Sequence, residues 1–300
     1  GASGVTVAEL ASSSGTFTTY GGLTKDGSVL YFGNSDTVRS YDLNTSTYDA
    51  YASCGSNTGT GTLDVLGNDL YMSLDRTYDA PYPSDLGTVD PANGFQARLE
   101  SGSDIGETTY SIYDSAVYGG NLYFSANVGT YVDDDQGGKA GQTSGTSLFR
   151  YDDADPGSPI EVAAVGGYTG GLTFDADGNL YYASQNAGDG ILRFDAAEVT
   201  EGGLTAADGD TVLDIAGSAI GFLNDGTFLA QTDFGQTLAA YDLVAGAKLY
   251  DVVTTSGAEY LGAFAVGDGD MVYALSTDWG EYASTLSAIN VPEPSAFAVL

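Results

Sequence analysis

GGLTFDADGNLYYAS (170–184), followed by ILRFD (191–195), is the stretch from which the architecture is read. Small residues lead into a short apolar run, and a turn built from Asp, Gly and Asn reverses the chain. An aromatic run returns, and a further strand ends in aromatic-Asp. Gly with Asn or Asp between apolar runs is a hairpin signal, because those residues tolerate the positive φ that tight turns require. Outward from this stretch the same pattern recurs as GGLTKDGSVLYF (21–32) with VRSYDL (38–43), and as GTLDVLGNDLYMSL (61–74) with FQARLE (95–100). It recurs again as SAVYGGNLYFSA (115–126) with SLFRYD (147–152), and as AIGFLNDGTFLAQ (219–231) with LAAYDL (238–243). The last copy is LGAFAVGDGDMVYALS (261–276) with LSAIN (286–290).

Six units therefore share one plan, anchored at Tyr31, Tyr71, Tyr123, Tyr181, Leu229 and Tyr273, with spacings of 40 to 58 residues. A period of that size with paired short strands predicts an all-β six-bladed β-propeller, a seven-bladed ring being the alternative. The innermost strand of a blade runs beside a crowded axis. Small residues such as Gly21, Gly22, Ser115, Ala116, Gly170, Gly171, Ser218 and Ala219 suit that place. VTVAEL (5–10) reads as an outer strand without its own blade, and the last unit lacks one after Asn290. Residues 5–10 are thus expected to complete the sixth blade and close the ring, removing unpaired strand edges. The propeller domain is expected to cover 1–290, with 291–300 as a separate segment.

Composition narrows the function. The 300 residues carry 8 Lys plus Arg against 41 Asp plus Glu, a formal net charge of -33. Nucleic-acid binding needs a basic footprint and is excluded. Such a field repels itself, and salt or bound cations relieve it. Saline adaptation and Ca²⁺ binding are the two readings of that charge. There is no His, and Cys54 is the one cysteine, so an internal disulfide and a zinc site are not expected.

Candidate contacts fall in two departures from the repeat. Residues 75–94 include Tyr78 and Tyr82, and residues 127–146 include Asp133, Asp134 and Asp135. Long loops are where recognition residues collect. Asp175, Asp177 and Asn179 alternate like the opening of a Ca²⁺ loop, and Ca²⁺ is the one cofactor the sequence raises; no Glu closes the loop, and the stretch also serves as a blade hairpin. No nucleophile elbow, zinc-protease helix, phosphate loop or dinucleotide fingerprint is present, so no catalytic residue is assigned.

Val291, Pro292, Glu293 and Pro294 directly follow the last repeat strand. This segment resembles the sorting signal of PEP-CTERM proteins. The resemblance implies export by a Gram-negative bacterium, processing by an exosortase, and an extracellular or cell-surface location. The apolar run Ala296 to Leu300 is too short to span a bilayer, so no stable membrane span is expected in this chain. Taken together, these features lead to the expectation of a non-catalytic surface or matrix protein, not an enzyme, that binds extracellular polysaccharide or copies of itself. The alternatives are a secreted propeller enzyme acting on glycans or lactones, and a Ca²⁺-dependent adhesin.

Overall fold

The computed structural model describes residues 5–13, 22–55, 58–76, 83–133, 139–152, 155–186 and 188–291. Strand β1 (Thr6–Ser13) comes first but belongs to the last sheet. Blade one is β2 (Leu23–Asp26), β3 (Val29–Asn34), β4 (Thr37–Asp42) and β5 (Thr47–Ser53). Blade two is β6 (Thr58–Leu66), β7 (Asp69–Arg76), β8 (Ser84–Asp90) and β9 (Gly94–Leu99). Blade three is β10 (Thr108–Tyr118), β11 (Asn121–Asp133), β12 (Lys139–Arg150) and β13 (Ile160–Ala164). Blade four begins with β14 (Leu172–Phe174), β15 (Leu180–Ala183) and β16 (Ile191–Phe194). Then come helix α1 (Ala196–Glu201), the short β17 (Leu204–Thr205), which adds in parallel to blade three, and β18 (Asp210–Leu213), the outer strand of blade four. Blade five is β19 (Ile220–Phe222), β20 (Phe228–Thr232), β21 (Thr237–Asp242) and β22 (Ala247–Thr254). Blade six is β23 (Glu259–Val266), β24 (Met271–Asp278) and β25 (Ala283–Asn290), completed by β1.

The chain is a six-bladed β-propeller, and the seven-bladed alternative falls. Closure runs as the repeat predicts: β1 pairs antiparallel with β25 from Thr6 opposite Asn290 to Ser13 opposite Ser284. Each of the six anchors lies on the second strand of its blade. One assignment changes. FQARLE is the outer strand of blade two, because residues 84–90 are not an insertion but form the third strand, β8. The aromatic-Asp ending that marks the third strand in blades one, three, four and five is replaced there by Val89-Asp90, so the repeat pattern does not pick this strand out. The second departure is partly strand as well: β11 and β12 run on as a long hairpin.

Six apolar clusters hold the ring, one at each junction between neighbouring blades. Leu63, Met72 and Val89 of blade two meet Val38, Ala52 and Cys54 beside blade one. Phe124 and Phe149 of blade three meet Tyr71, Leu86 and Leu99 of blade two. Leu23, Leu30 and Phe32 of blade one pack on Leu275 and Leu286 of blade six, so closure buries core and not only edges. Each fully buried side chain of this size contributes about 1.5–3 kcal/mol. Cys54 is a buried member of its cluster, and burial pushes its thiol up to about 11.

Gly is demanded where blades converge. A Cβ on Gly170 would sit 1.7 Å from the Ala183 carbonyl oxygen, and one on Gly171 would sit 2.8 Å from that of Ser218.

Candidate functional site

The six anchors sit in register with the lining of the axis. Tyr31, Tyr71, Tyr123, Tyr181, Leu229 and Tyr273 pair across to Thr24, Asp64, Ala116, Thr173, Gly221 and Ala265. All six of those partners line one axial cavity of about 300 Å³. Five of them are small. Asp64 is the departure, and Asp114, two residues before Ala116, is a second carboxyl on the same cavity.

Both acids keep part of their surface open to the cavity, while protein encloses them elsewhere. That enclosure removes water from the charged form, which raises a carboxyl's pKa. Asp64 is raised to about 7 by desolvation, against the pull of its Ser115 hydrogen bond. Asp114 is raised well above the ordinary value, first by desolvation and further by the charge of Asp64, while the Leu172 N–H works against the shift. That N–H donates to Asp114 Oδ2 at 3.0 Å. Ser115 Oγ lies 2.5 Å from Asp64 Oδ2 and 2.6 Å from Thr62 Oγ1. A hydroxyl has one proton to give, so it can donate to one of these at a time. The other contact needs a proton from Thr62 or from Asp64 in its acid form.

A third buried acid, Asp75, accepts from Ser84 Oγ at 2.7 Å and is raised by burial to about 6. Ser84 Oγ in turn accepts the Ile112 N–H at 3.1 Å, so this pair braces the junction of blades two and three.

Above the acids a second cavity follows along the axis. The upper end is defined here by the connections between blades and by those between second and third strands. A cavity of about 280 Å³ there is lined by Tyr113, Ser218 and Gly262, whose next residues in sequence, Asp114, Ala219 and Ala263, line the lower one. The two cavities therefore meet along the axis. A β-bulge between Ile112 and Asp114 turns consecutive side chains to different tasks, Tyr113 toward the mouth and Asp114 into the channel. A broader cleft of about 740 Å³ adjoins the mouth and shares Gln185, Ser218, Gln231 and Phe234 with it.

The cleft is built stiffly. Gln231 is buried; its Nε2 donates to the Leu261 carbonyl and its Oε1 accepts from Ser218 Oγ at 3.0 Å. Gln185 Nε2 donates to the Thr169 carbonyl at 2.7 Å. The Tyr168 carbonyl accepts from Tyr182 Oη at 2.7 Å, which fixes the loop that carries the exposed Tyr168 ring. At the corner between β20 and β21, Asp233 and Phe234 both have φ of 54°. Two consecutive non-glycine residues in the left-handed region cost about 1–3 kcal/mol each, and such strain gathers at working sites. The result is a Phe234 ring that is 94% exposed at the edge of the cleft.

The residues singled out from sequence lie elsewhere. Asp175, Asp177 and Asn179 form the lower turn between β14 and β15. Asp175 Oδ1 accepts the N–H groups of Asp177 and Asn179, and its Oδ2 accepts from Asn179 Nδ2 and Tyr181 Oη, all within 3.2 Å. Its oxygens are spent on the turn. Among the described residues no group of three or more His, Cys, Asp or Glu is placed to hold a metal ion. Asp133 ends β11 and is exposed, while Asp134, Asp135, Tyr78 and Tyr82 lie outside the described residues. Val291 is buried and its N–H donates to the Asp270 carbonyl at 3.2 Å; Pro292, Glu293 and Pro294 lie outside the described residues. No described helix is long and apolar enough to cross a membrane.

Asp64 and Asp114 were missed, though a signal existed. They are the carboxyls that break the small-residue rule on the inner strands of blades two and three.

No family model matches the chain, and no curated protein does. Solved structures do. A luciferin-regenerating enzyme matches with a TM-score of 0.68 at 16% identity, over 96% of each chain. Regucalcin from Agrobacterium tumefaciens, described as a calcium-binding protein, matches with a TM-score of 0.67 at 12% identity, over 95% of this chain and 94% of its own. A gluconolactonase from Xanthomonas campestris matches with a TM-score of 0.63 at 13% identity, over 97% and 90%.

At this identity the likeness shows the propeller fold. It also overturns the expectation of a non-catalytic surface or matrix protein, since proteins named as enzymes carry this ring along nearly its whole length. The reasoning from missing motifs fails for a physical reason. A propeller site is assembled at the axis from different blades, so no contiguous motif has to mark it. The neighbour described as calcium-binding shares the ring, and among the described residues of this chain no donor cluster for Ca²⁺ is formed.

Proposed function

We propose that this chain is a propeller enzyme that opens a C–O bond of a lactone or glycoside by hydrolysis, with Asp64 and Asp114 as its acid–base pair. The observation that carries the reading is two carboxyls on one axial cavity, both raised by enclosure and coupled to each other. Two like charges at one site do not ionise together cheaply, which separates their roles. Near neutral pH Asp64 is about half ionised, and its charge works against ionisation of Asp114, which casts Asp64 as the base and Asp114 as the acid.

In the reaction, the Asp64 carboxylate takes a proton from water as the water oxygen bonds to the carbonyl or anomeric carbon. Asp114 gives its proton to the oxygen that leaves as the C–O bond breaks. One water is consumed. The pair is left with its proton moved from Asp114 to Asp64, and exchange through channel water resets it. Ser115 orients the Asp64 carboxylate, and the Leu172 N–H orients that of Asp114. Ca²⁺ enters no step, because the described residues of the channel offer two carboxyls engaged by these donors and not a cage of six to eight oxygens.

The same proposal places the protein outside the cell of a Gram-negative bacterium. The Val-Pro-Glu-Pro segment at 291–294 supports it, and fractionation of the producing cells tests it.

The test of activity is a panel of sugar lactones and aryl glycosides. Turnover is expected to rise as pH passes about 7, where Asp64 ionises. Asp64→Asn and Asp114→Asn are each expected to lower kcat by about 100-fold or more while remaining folded. Unchanged rates in both variants, or no turnover on either substrate class, refute the reading.

A further inference from the structure

The aromatic residues left strongly exposed among those described are Tyr168, Phe234, Trp279 and Tyr282. All four stand on upper-end connections of blades four to six: Tyr168 before β14, Phe234 between β20 and β21, Trp279 and Tyr282 between β24 and β25. Exposed rings elsewhere on the described surface would dilute the point, and there are none of that exposure. Phe234, Tyr168 and Trp279 border the two cavities that share Gln185, Ser218, Gln231 and Phe234. Between the rings the lining sets amides and hydroxyls, Gln185, Asn186, Ser218, Gln231 and Thr232, beside the apolar Ile215 and Ala216. In a chain of net charge -33 the described lining of this cleft carries two charged residues, Asp233 and Lys248, and Lys248 is paired with Asp251.

We infer that this cleft binds a neutral saccharide chain of more than one ring, with its end directed into the channel. Flat apolar faces match the C–H faces of sugar rings, giving contact area at low conformational cost. Locked amides supply donors and acceptors for hydroxyls, and the hydrogen bonds that hold Gln231 and Gln185 mean little ordering is left for the ligand to impose. The left-handed backbone at Asp233 and Phe234 sets the direction in which the most exposed ring leaves the chain. The volume of about 740 Å³ is of the size that takes an extended ligand. Anionic chains are selected against, because the protein's own field repels them. The inference deepens the proposed hydrolase by naming its substrate class, and it rests on that reading only for where the reacting bond lies.

Trp279 is the one tryptophan of the chain and lines the mouth that adjoins the cleft, so its fluorescence reports on that end of the ring. The experiment titrates the full chain with neutral α- and β-linked gluco-oligosaccharides of increasing length, and with oligouronates as the charged control. Isothermal calorimetry on the same series gives a second, label-free reading. A saturable change in emission is expected with the neutral chains, with affinity rising with length and with oligouronates binding more weakly. Phe234→Ala is expected to weaken binding about tenfold, and Phe234→Tyr to restore it.

Absence of saturable binding by both methods overturns the inference. So does equal or tighter binding of oligouronates, or Phe234→Ala binding as the parent does. Asp64→Asn separates the two proposals. It is expected to bind saccharide while losing hydrolysis. Lactone turnover without saccharide binding would sink the cleft and leave the hydrolase, and binding without any hydrolysis would do the reverse.

Discussion

Replacing Asp64 by Asn should make the protein more stable at neutral pH and leave it unchanged in acid. Asn has the size of Asp and can accept from Ser115, but it never ionises. In the folded chain Asp64 is raised from 3.8 to about 7 by enclosure at the axis. The unfolded chain ionises it near the ordinary value. Between those two values the native state holds a proton that the unfolded state has released, so stability falls as pH rises. Below the lower value both states are protonated, and above about 7 both are ionised, so the loss is confined to that window and then stays constant.

The shift is about three units, and at 1.36 kcal/mol per unit the ceiling is about 4 kcal/mol. Water in the channel screens part of this, so roughly 2–3 kcal/mol is expected above neutrality. The assay is urea unfolding of parent and Asp64→Asn from about pH 4 to about pH 8, with the difference taken at each pH so that acids not coupled to Asp64 cancel; Asp114, relieved of the Asp64 charge, moves the gap in the same direction. The gap should open through the window and favour the variant by the amount given. A gap that does not change with pH would refute the argument, as would a variant less stable than the parent above neutrality. Stability gained where activity is lost is the pattern of a site whose function strains the fold.

Three further outcomes follow from the architecture. Gly170→Ala should prevent a stable ring or cost more than about 3 kcal/mol, because its Cβ would strike the Ala183 backbone at 1.7 Å; thermal melting of the variant checks this. Deletion of residues 5–13 should lower the melting temperature and produce concentration-dependent association in light scattering, because β25 loses its partner and presents an open edge. Added monovalent salt should raise the melting temperature of the parent by a few degrees, since screening relieves the self-repulsion of a net charge of -33; a flat response would count against that repulsion.

The repeat itself is local chemistry, and the sequence was enough to read it. Alternating apolar and polar residues, hairpin turns such as Asp26-Gly27 and Gly178-Asn179, and the anchors from Tyr31 to Tyr273 specify strands and their pairing within a blade. Closure by β1 was legible too, since one unit had a strand too many and another one too few. Blade two resisted because its third strand lacks the aromatic-Asp ending.

The site was not legible in that way. Asp64 and Asp114 lie 50 residues apart, and Tyr168, Phe234 and Trp279 are spread over more than 100. With 41 acids in the chain, two carboxyls gain meaning only when the ring brings their strands to one axis and removes the water around them. Strand formation depends on neighbours within a few residues, and that much the sequence determined. Desolvation and convergence depend on what six separate sheets leave between them, and only the closed tertiary structure decides that.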